Sequence, residues 1–226
     1  AESAIDIVAD LKSIGAGGAV LYASGFGEVG EAGVIRNQRL IKAADGMPLI
    51  GPNCYGFINS LDGVALWPDV HGWEVLKKGV AIITQSGNIG LNMTMQSVGL
   101  PIAYMFTLGN QTNTNISDII HSMLDDDRVN AIGLHVEGIN DIEMFDDAAR
   151  RALRKKIPIV AIKSGRTASS AQIALTHTSS LTGSDQLYSV FFERLGIARV
   201  DTVPEFLETL KLLNFFGPIN HDAVAS

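Results

Sequence analysis

Several short stretches of this chain bring together residue types that do chemistry. Ala174-Leu175-Thr176-His177-Thr178-Ser179-Ser180-Leu181-Thr182-Gly183-Ser184-Asp185 surrounds one histidine with hydroxyls. A neutral imidazole has an unperturbed pKa near ~6.5, so it can act as a nucleophile or base near neutrality. Hydroxyl runs are also ordinary loops. Context sets His177 apart: it follows a strand-to-loop step with two cations, Lys163-Ser164-Gly165-Arg166-Thr167, and precedes a helix capped by Ser184 or Asp185. Thr84-Gln85-Ser86-Gly87-Asn88 directly follows an apolar run and opens a helix. Free N–H groups at a helix start, with a glycine and small hydroxyls, make an anion site, and the same residues serve equally as a plain helix cap. Gly109-Asn110 is a third turn after a strand. Open α/β sheets bind ligands along that edge, so three such loops carry more weight than one.

Three other patterns are weaker. Gly25-Phe26-Gly27-Glu28-Val29-Gly30 is a literal G-x-G-x-x-G between a strand and a helix. A dinucleotide site also needs a carboxylate closing the next strand, and that strand ends in Gly51-Pro52-Asn53 instead, which favours a turn and helix cap. His135-Val136-Glu137 has the H-x-E spacing of zinc deaminases but lacks their P-C-x-x-C partner. Glu137 ends a mostly apolar strand, where a carboxylate is either partly desolvated or a solvated turn acid. The acidic run Asp125-Asp126-Asp127 reads as a helix end and turn.

Composition excludes several classes. Of 226 residues, 46% are hydrophobic and 18% charged, with no apolar run near the ~20 residues that span a bilayer, so neither a disordered chain nor a transmembrane helix is expected. Lys+Arg 17 against Asp+Glu 24 gives a net charge of −7 and no basic stripe for nucleic acid or anionic lipid. Cys54 is the single cysteine, so no intrachain disulfide or Cys-based zinc cage can form. With no basic-then-apolar leader at the start, a cytoplasmic location is expected.

Positioning these residues falls to short β-branched runs alternating with helical patterns, the signature of βαβ units in a parallel sheet. Strands are predicted at 18–23, 47–50, 79–84, 102–108, 131–136, 157–163 and 197–200. Helices are predicted at 4–14, 31–44, 89–98, 116–124, 142–154, 185–195 and 204–214. The alternation breaks between Gly51 and Lys78, where Pro and Gly are frequent. We therefore expect a partial α/β unit at 1–56, a linker at 57–78, a flavodoxin-like doubly wound parallel sheet at 79–218 and a tail at 219–226.

Taken together, Gly25-Phe26 with Glu28 and Gly30, Gly51-Pro52-Asn53-Cys54 with Gly56, Gln85-Ser86-Gly87, Gly109-Asn110, Glu137-Gly138-Ile139, Lys163 with Gly165-Arg166, and His177-Thr178 with Gly183-Ser184-Asp185 resemble the nucleoside-diphosphate-forming acyl-CoA synthetases, relatives of the succinyl-CoA synthetase α subunit. The resemblance covers nearly the whole chain in the family's order. It implies that 1–56 completes a Rossmann-like CoA-binding domain and that the flavodoxin-like domain carries a transiently phosphorylated histidine. It implies catalytic roles for His177 and Glu137. It also implies phosphate binding by Gln85, Ser86, Gly87, Gly109, Asn110 and Thr178, CoA binding near Gly51, Pro52, Asn53 and Cys54, and no metal site in this chain. Coenzyme A and a small carboxylic acid would be substrates, with ATP/ADP and Mg2+ handled by an ATP-grasp domain or subunit in a homo- or hetero-oligomer. Ser179 stands where the family commonly has Gly. Nothing here resembles an ATP-grasp unit, so this chain alone is not expected to turn over. A competing implication is a non-catalytic CoA-sensing module of a synthetase-like protein acetyltransferase.

Overall fold

The computed structural model describes residues 1–72, 74–165 and 185–218. The first 50 residues form a small α/β unit: α1 (Glu2–Ser13), β1 (Ala19–Val20), α2 (Glu31–Ala44) and β2 (Leu49–Ile50), with β1 and β2 paired in parallel. Its own core is Ile5, Val8, Leu21, Phe26, Leu40, Ala44, Met47 and Leu49. Gly33 on α2 lets the helix ride against the preceding turn, because a Cβ there would lie 1.7 Å from the Phe26 carbonyl oxygen.

The rest builds one seven-stranded sheet. Its elements are β3 (Gly56–Asn59), β4 (Val64–Leu66), β5 (Gly79–Thr84), α3 (Gly87–Thr94), β6 (Ile102–Thr107), α4 (Ile116–Met123), β7 (Val129–Val136), α5 (Ile142–Lys155), β8 (Ile159–Lys163), α6 (Asp185–Arg194), β9 (Ala198–Val200) and α7 (Val203–Phe216). The strand order is β4-β3-β6-β5-β7-β8-β9, and the five strands from β6 to β9 are parallel. Counted from β5 in chain order, these five follow 2-1-3-4-5, the flavodoxin-like winding expected from the alternating pattern.

Every residue of β5, β6 and β8 is buried, as a parallel sheet covered on both faces requires. The two-residue period sorts them. Ala81 and Ile83 face a core completed by Ile120 of α4, Phe145 of α5 and Phe192 of α6, whereas Val80 and Ile82 face Met93 of α3 and Leu207 of α7. Among the described residues no helix is long and apolar enough to cross a membrane.

The stretch expected as a linker instead supplies β3 and β4. β3 pairs antiparallel with β6, placing Gly56 opposite Thr107 and Asn59 opposite Tyr104. The hairpin turn is shaped by Asn59, whose Oδ1 accepts from Leu61 N at 3.0 Å and Asp62 N at 3.1 Å, and by Gly63 at φ +66. The Asp62-Gly63 pair between short apolar runs is itself a hairpin signal, which the Pro- and Gly-rich surroundings obscured. The acidic run sits where expected, after α4. There Asp126 also accepts from Arg128 and from the Tyr104 hydroxyl, and Arg128 reaches Asp62 in the hairpin at 2.9 Å. The predicted tail at 219–226 lies outside the described residues.

Candidate active site

The parallel order reverses between β5 and β7, and open sheets of this kind hold ligands beyond the strand C-termini at that point. Gln85, the residue after β5, spans the gap. Its Oε1 accepts from Glu137 N and from Gly138 N at 2.9 Å, and its Nε2 donates to Gly138 O at 2.6 Å. Gln85 and Glu137 are both buried. The amide of Gln85 is thus committed to the end of β7.

Ser86 caps α3 by accepting from Ile89 N, while its own N–H donates to Thr84 Oγ1 at 3.0 Å. Among the described residues no group accepts from Gly87 N or Asn88 N, the next donors of that helix start. Gly87 has no room for a side chain, since a Cβ would lie 2.4 Å from the Tyr55 ring.

Two loops close the opposite wall. Asn110 N donates to Pro52 O at 3.0 Å and Thr112 N to Gly51 O at 3.1 Å, so the turn after β6 is laced to the turn after β2. Gly109 sits at φ +53, and a Cβ there would lie 2.2 Å from Pro52 O and 2.4 Å from Asn53 O. Only glycine satisfies both the conformation and the approach.

A cavity of about 180 Å³ opens between these elements. Asn53 and Cys54 line it together with Gln85, Ser86, Gly87, Gly109 and Asn110. The structure therefore brings two of the four residues expected for CoA and five of the six expected for phosphate into one pocket. Gly51 and Pro52 shape its wall from behind. Tyr22, Tyr55 and Asn88 complete the lining; Asn88 belongs to the helix-start motif read from the sequence, whereas the two tyrosines carried no signal.

Cys54 is buried, and its thiol donates to Leu21 O at 3.4 Å. Burial pushes its pKa up to about 11 against the weaker opposing effect of backbone hydrogen bonds, so it is a neutral thiol in the wall.

Behind Glu137 lies a polar network. His135 Nδ1 is 3.0 Å from Thr84 Oγ1, and its Nε2 is 3.2 Å from Ser164 Oγ. Burial, reinforced by the Lys163 ammonium, lowers the His135 pKa to about 4, which keeps this imidazole neutral. Lys163 is buried, with Nζ donating to Ser164 O and lying 4.7 Å from the centre of the Tyr188 ring. Burial lowers the Lys163 pKa, while the Asp185 and Glu137 carboxylates oppose the shift. The Tyr188 hydroxyl accepts from Ile139 N at 3.1 Å, steadying the turn that follows Glu137. His177, Thr178 and Arg166 lie outside the described residues. Among the described residues no three His, Cys, Asp or Glu side chains converge as metal ligands would.

Residues 77–213 match the family model described as a succinyl-CoA ligase like flavodoxin domain, more than half of the chain. The ADP-forming acetate–CoA ligase II subunit alpha of Pyrococcus furiosus is 33% identical over 198 residues, covering 85% of this chain and 42% of that protein. The ADP-forming acetate–CoA ligase of Methanocaldococcus jannaschii is 33% identical over 88% of this chain and 28% of its own length. Among solved structures, the dinucleotide forming acetyl-coenzyme A synthetase 1 of Ca. Korarchaeum cryptofilum, in complex with phosphate and ADP, superposes with a TM-score of 0.82 at 28% identity, covering 94% of this chain and 46% of that one. The chain spans less than half the length of these relatives. The match over more than half of its length shows that the chain belongs to the family of the succinyl-CoA ligase-like flavodoxin domain, with nucleoside-diphosphate-forming acyl-CoA synthetases as its relatives.

Proposed function

We propose that this chain is the histidine-bearing portion of an ADP-forming acid–thiol ligase. The observation that carries the reading is the convergence of the α3 start, the Gly109-Asn110 turn and the Asn53-Cys54 turn on one cavity, with buried Glu137 joined through its N–H to Gln85 of that lining. Phosphate would sit against Gly87 N, Asn88 N and the Asn110 amide, where helix-start donors supply positive potential without requiring water. The N-terminal unit, completing a CoA-binding domain, would present the thioester carbonyl beside Asn53 and Cys54.

A phosphate oxygen then attacks the carbonyl carbon, and the C–S bond breaks with its electron pair leaving on sulfur, which is protonated as CoA departs. The product is an acyl phosphate. A ring nitrogen of His177 attacks its phosphorus, the P–O bond to the acyl group breaks, and a carboxylate leaves. Glu137 accepts the N–H of the other ring nitrogen, fixing the tautomer that attacks. Thr178 and the α3 start hold the transferred group. A nucleoside diphosphate accepts it in an ATP-grasp domain or subunit, with Mg2+ neutralising phosphate charge there. Reversal forms the thioester at the expense of nucleoside triphosphate. A cytoplasmic setting and a small carboxylic acid fit this reading.

The test is His177→Ala in the complete enzyme. Loss of both ligation and acid-labile phosphate on this domain is expected. Undiminished ligation with undiminished labelling overturns the reading, and CoA binding with no phosphate incorporation into the unaltered enzyme points to the CoA-sensing module instead.

A further inference from the structure

The Gly25 to Gly30 turn, read from the sequence as a turn and helix cap, holds a residue of the N-terminal unit that reaches Asn110 of the cavity lining. Glu28 Oε1 accepts from Gly25 N at 2.5 Å and Phe26 N at 3.3 Å, and its Oε2 accepts from Asn110 Nδ2. Gly25 O in turn accepts from Arg36 Nη1 at 2.6 Å, fastening the turn to α2. Burial works against ionisation of Glu28, but the hydrogen bonds from Gly25, Asn110 and Phe26 outweigh it and hold the carboxylate below its usual range.

The N-terminal unit grips the same loop at two further places. Thr112 Oγ1 donates to Asn37 Oδ1 at 2.5 Å, and Asn113 accepts from Leu49 N and donates to Met47 O, each at 2.9 Å. Neither Thr112 nor Asn113 lines the cavity, whereas Asn110 does. An amide nitrogen carries two hydrogens, so a carboxylate on one sets the plane of the amide and leaves the other to donate.

We propose that Glu28 is a positioning residue for the phosphate step, holding Asn110 so that its free N–H meets the phosphoryl group. This rests on the ligase reading above. It makes the docking of the N-terminal unit part of the phosphate site, beyond any role that unit has in binding CoA.

The experiment uses the complete enzyme, assayed for ADP- and phosphate-dependent cleavage of acetyl-, butyryl- and benzoyl-CoA, with the best thioester then used throughout. Glu28→Gln keeps an oxygen for Gly25 N and Phe26 N but turns a donor toward Asn110. We expect Glu28→Gln and Asn110→Ala each to raise the phosphate KM about tenfold, as loss of a charge-assisted hydrogen bond does, with the thioester KM within about twofold. The double variant should be no worse than the poorer single one. Thr112→Val, which breaks a side-chain grip outside the cavity lining and keeps the Thr112 N–H on Gly51 O, should leave the phosphate KM within about twofold. An unchanged phosphate KM in Glu28→Gln overturns the proposal. So does an equal rise in Thr112→Val, which would assign the effect to docking in general. An unaltered enzyme that cleaves none of the three thioesters in a phosphate-dependent way overturns the ligase reading, and this proposal with it.

Discussion

Gln85 is the residue whose replacement separates a clamp from a ligand. Its amide makes three buried hydrogen bonds across the β5/β7 gap, to Glu137 N, Gly138 N and Gly138 O. At about 1 kcal/mol net for each, Gln85→Ala should cost about 3 kcal/mol, and more if water does not reach the two abandoned N–H groups. Gln85→Glu is the sharper probe. One oxygen of the introduced carboxyl still accepts from both N–H groups, but the other meets Gly138 O, so the bridge is complete only when the carboxyl is protonated. Its folded-state pKa is then raised above the unfolded value near ~4.3. The folded state binds more protons, so stability is fully present at low pH and is lost as pH rises through the raised pKa. Urea unfolding of the 226-residue chain between pH 4 and 8, with unaltered protein as reference, reads this directly. The variant should approach the reference at pH 4 and fall away toward pH 8. A Gln85→Ala cost within about 0.5 kcal/mol, or a Gln85→Glu deficit independent of pH, would refute the clamp.

Two other outcomes follow from the same geometry. His135, at about 4 against an ordinary 6.5, releases its proton on folding, so its contribution is complete above pH 6.5 and is lost as pH falls from 6.5 toward 4. At ~1.4 kcal/mol per pKa unit this amounts to about 3 kcal/mol, and His135→Gln should flatten the wild-type loss of stability over that window; equal slopes in denaturant titrations would contradict it. Gly109→Ala must place a Cβ 2.2 Å from Pro52 O at φ +53, combining about 1 kcal/mol of left-handed strain with a clash that separates the two wall loops. The complete enzyme should lose phosphate affinity about tenfold or more, and an unchanged phosphate KM would show that the wall is not part of the site.

Much of the frame was legible because its signals are local. β5 and α2 fall at the predicted residues, and the other strands and helices from the alternating pattern lie within a few residues of their expected bounds. The β3–β4 hairpin was not legible as part of the sheet, because its pairing partner β6 lies more than forty residues away from β3 and nothing local encodes that contact. Glu28 shows the same limit on the scale of one side chain. The G-x-G-x-x-G spacing around it reads as a turn and helix cap, and nothing local shows that its carboxylate answers to Asn110 in the other unit.

By itself the sequence determined the order of elements, the helix-start chemistry at Gln85-Ser86-Gly87 and the candidates His177 and Glu137, since periodicity, capping and residue type are properties of neighbours along the chain. Tertiary structure alone decided that Asn53, Cys54, Gly87 and Asn110 share one cavity, that the Gln85 amide is spent on β7, and that the Cys54 thiol is buried and its pKa pushed up. Those outcomes depend on which strand ends lie side by side and on how much water each group loses, and both are set by long-range packing.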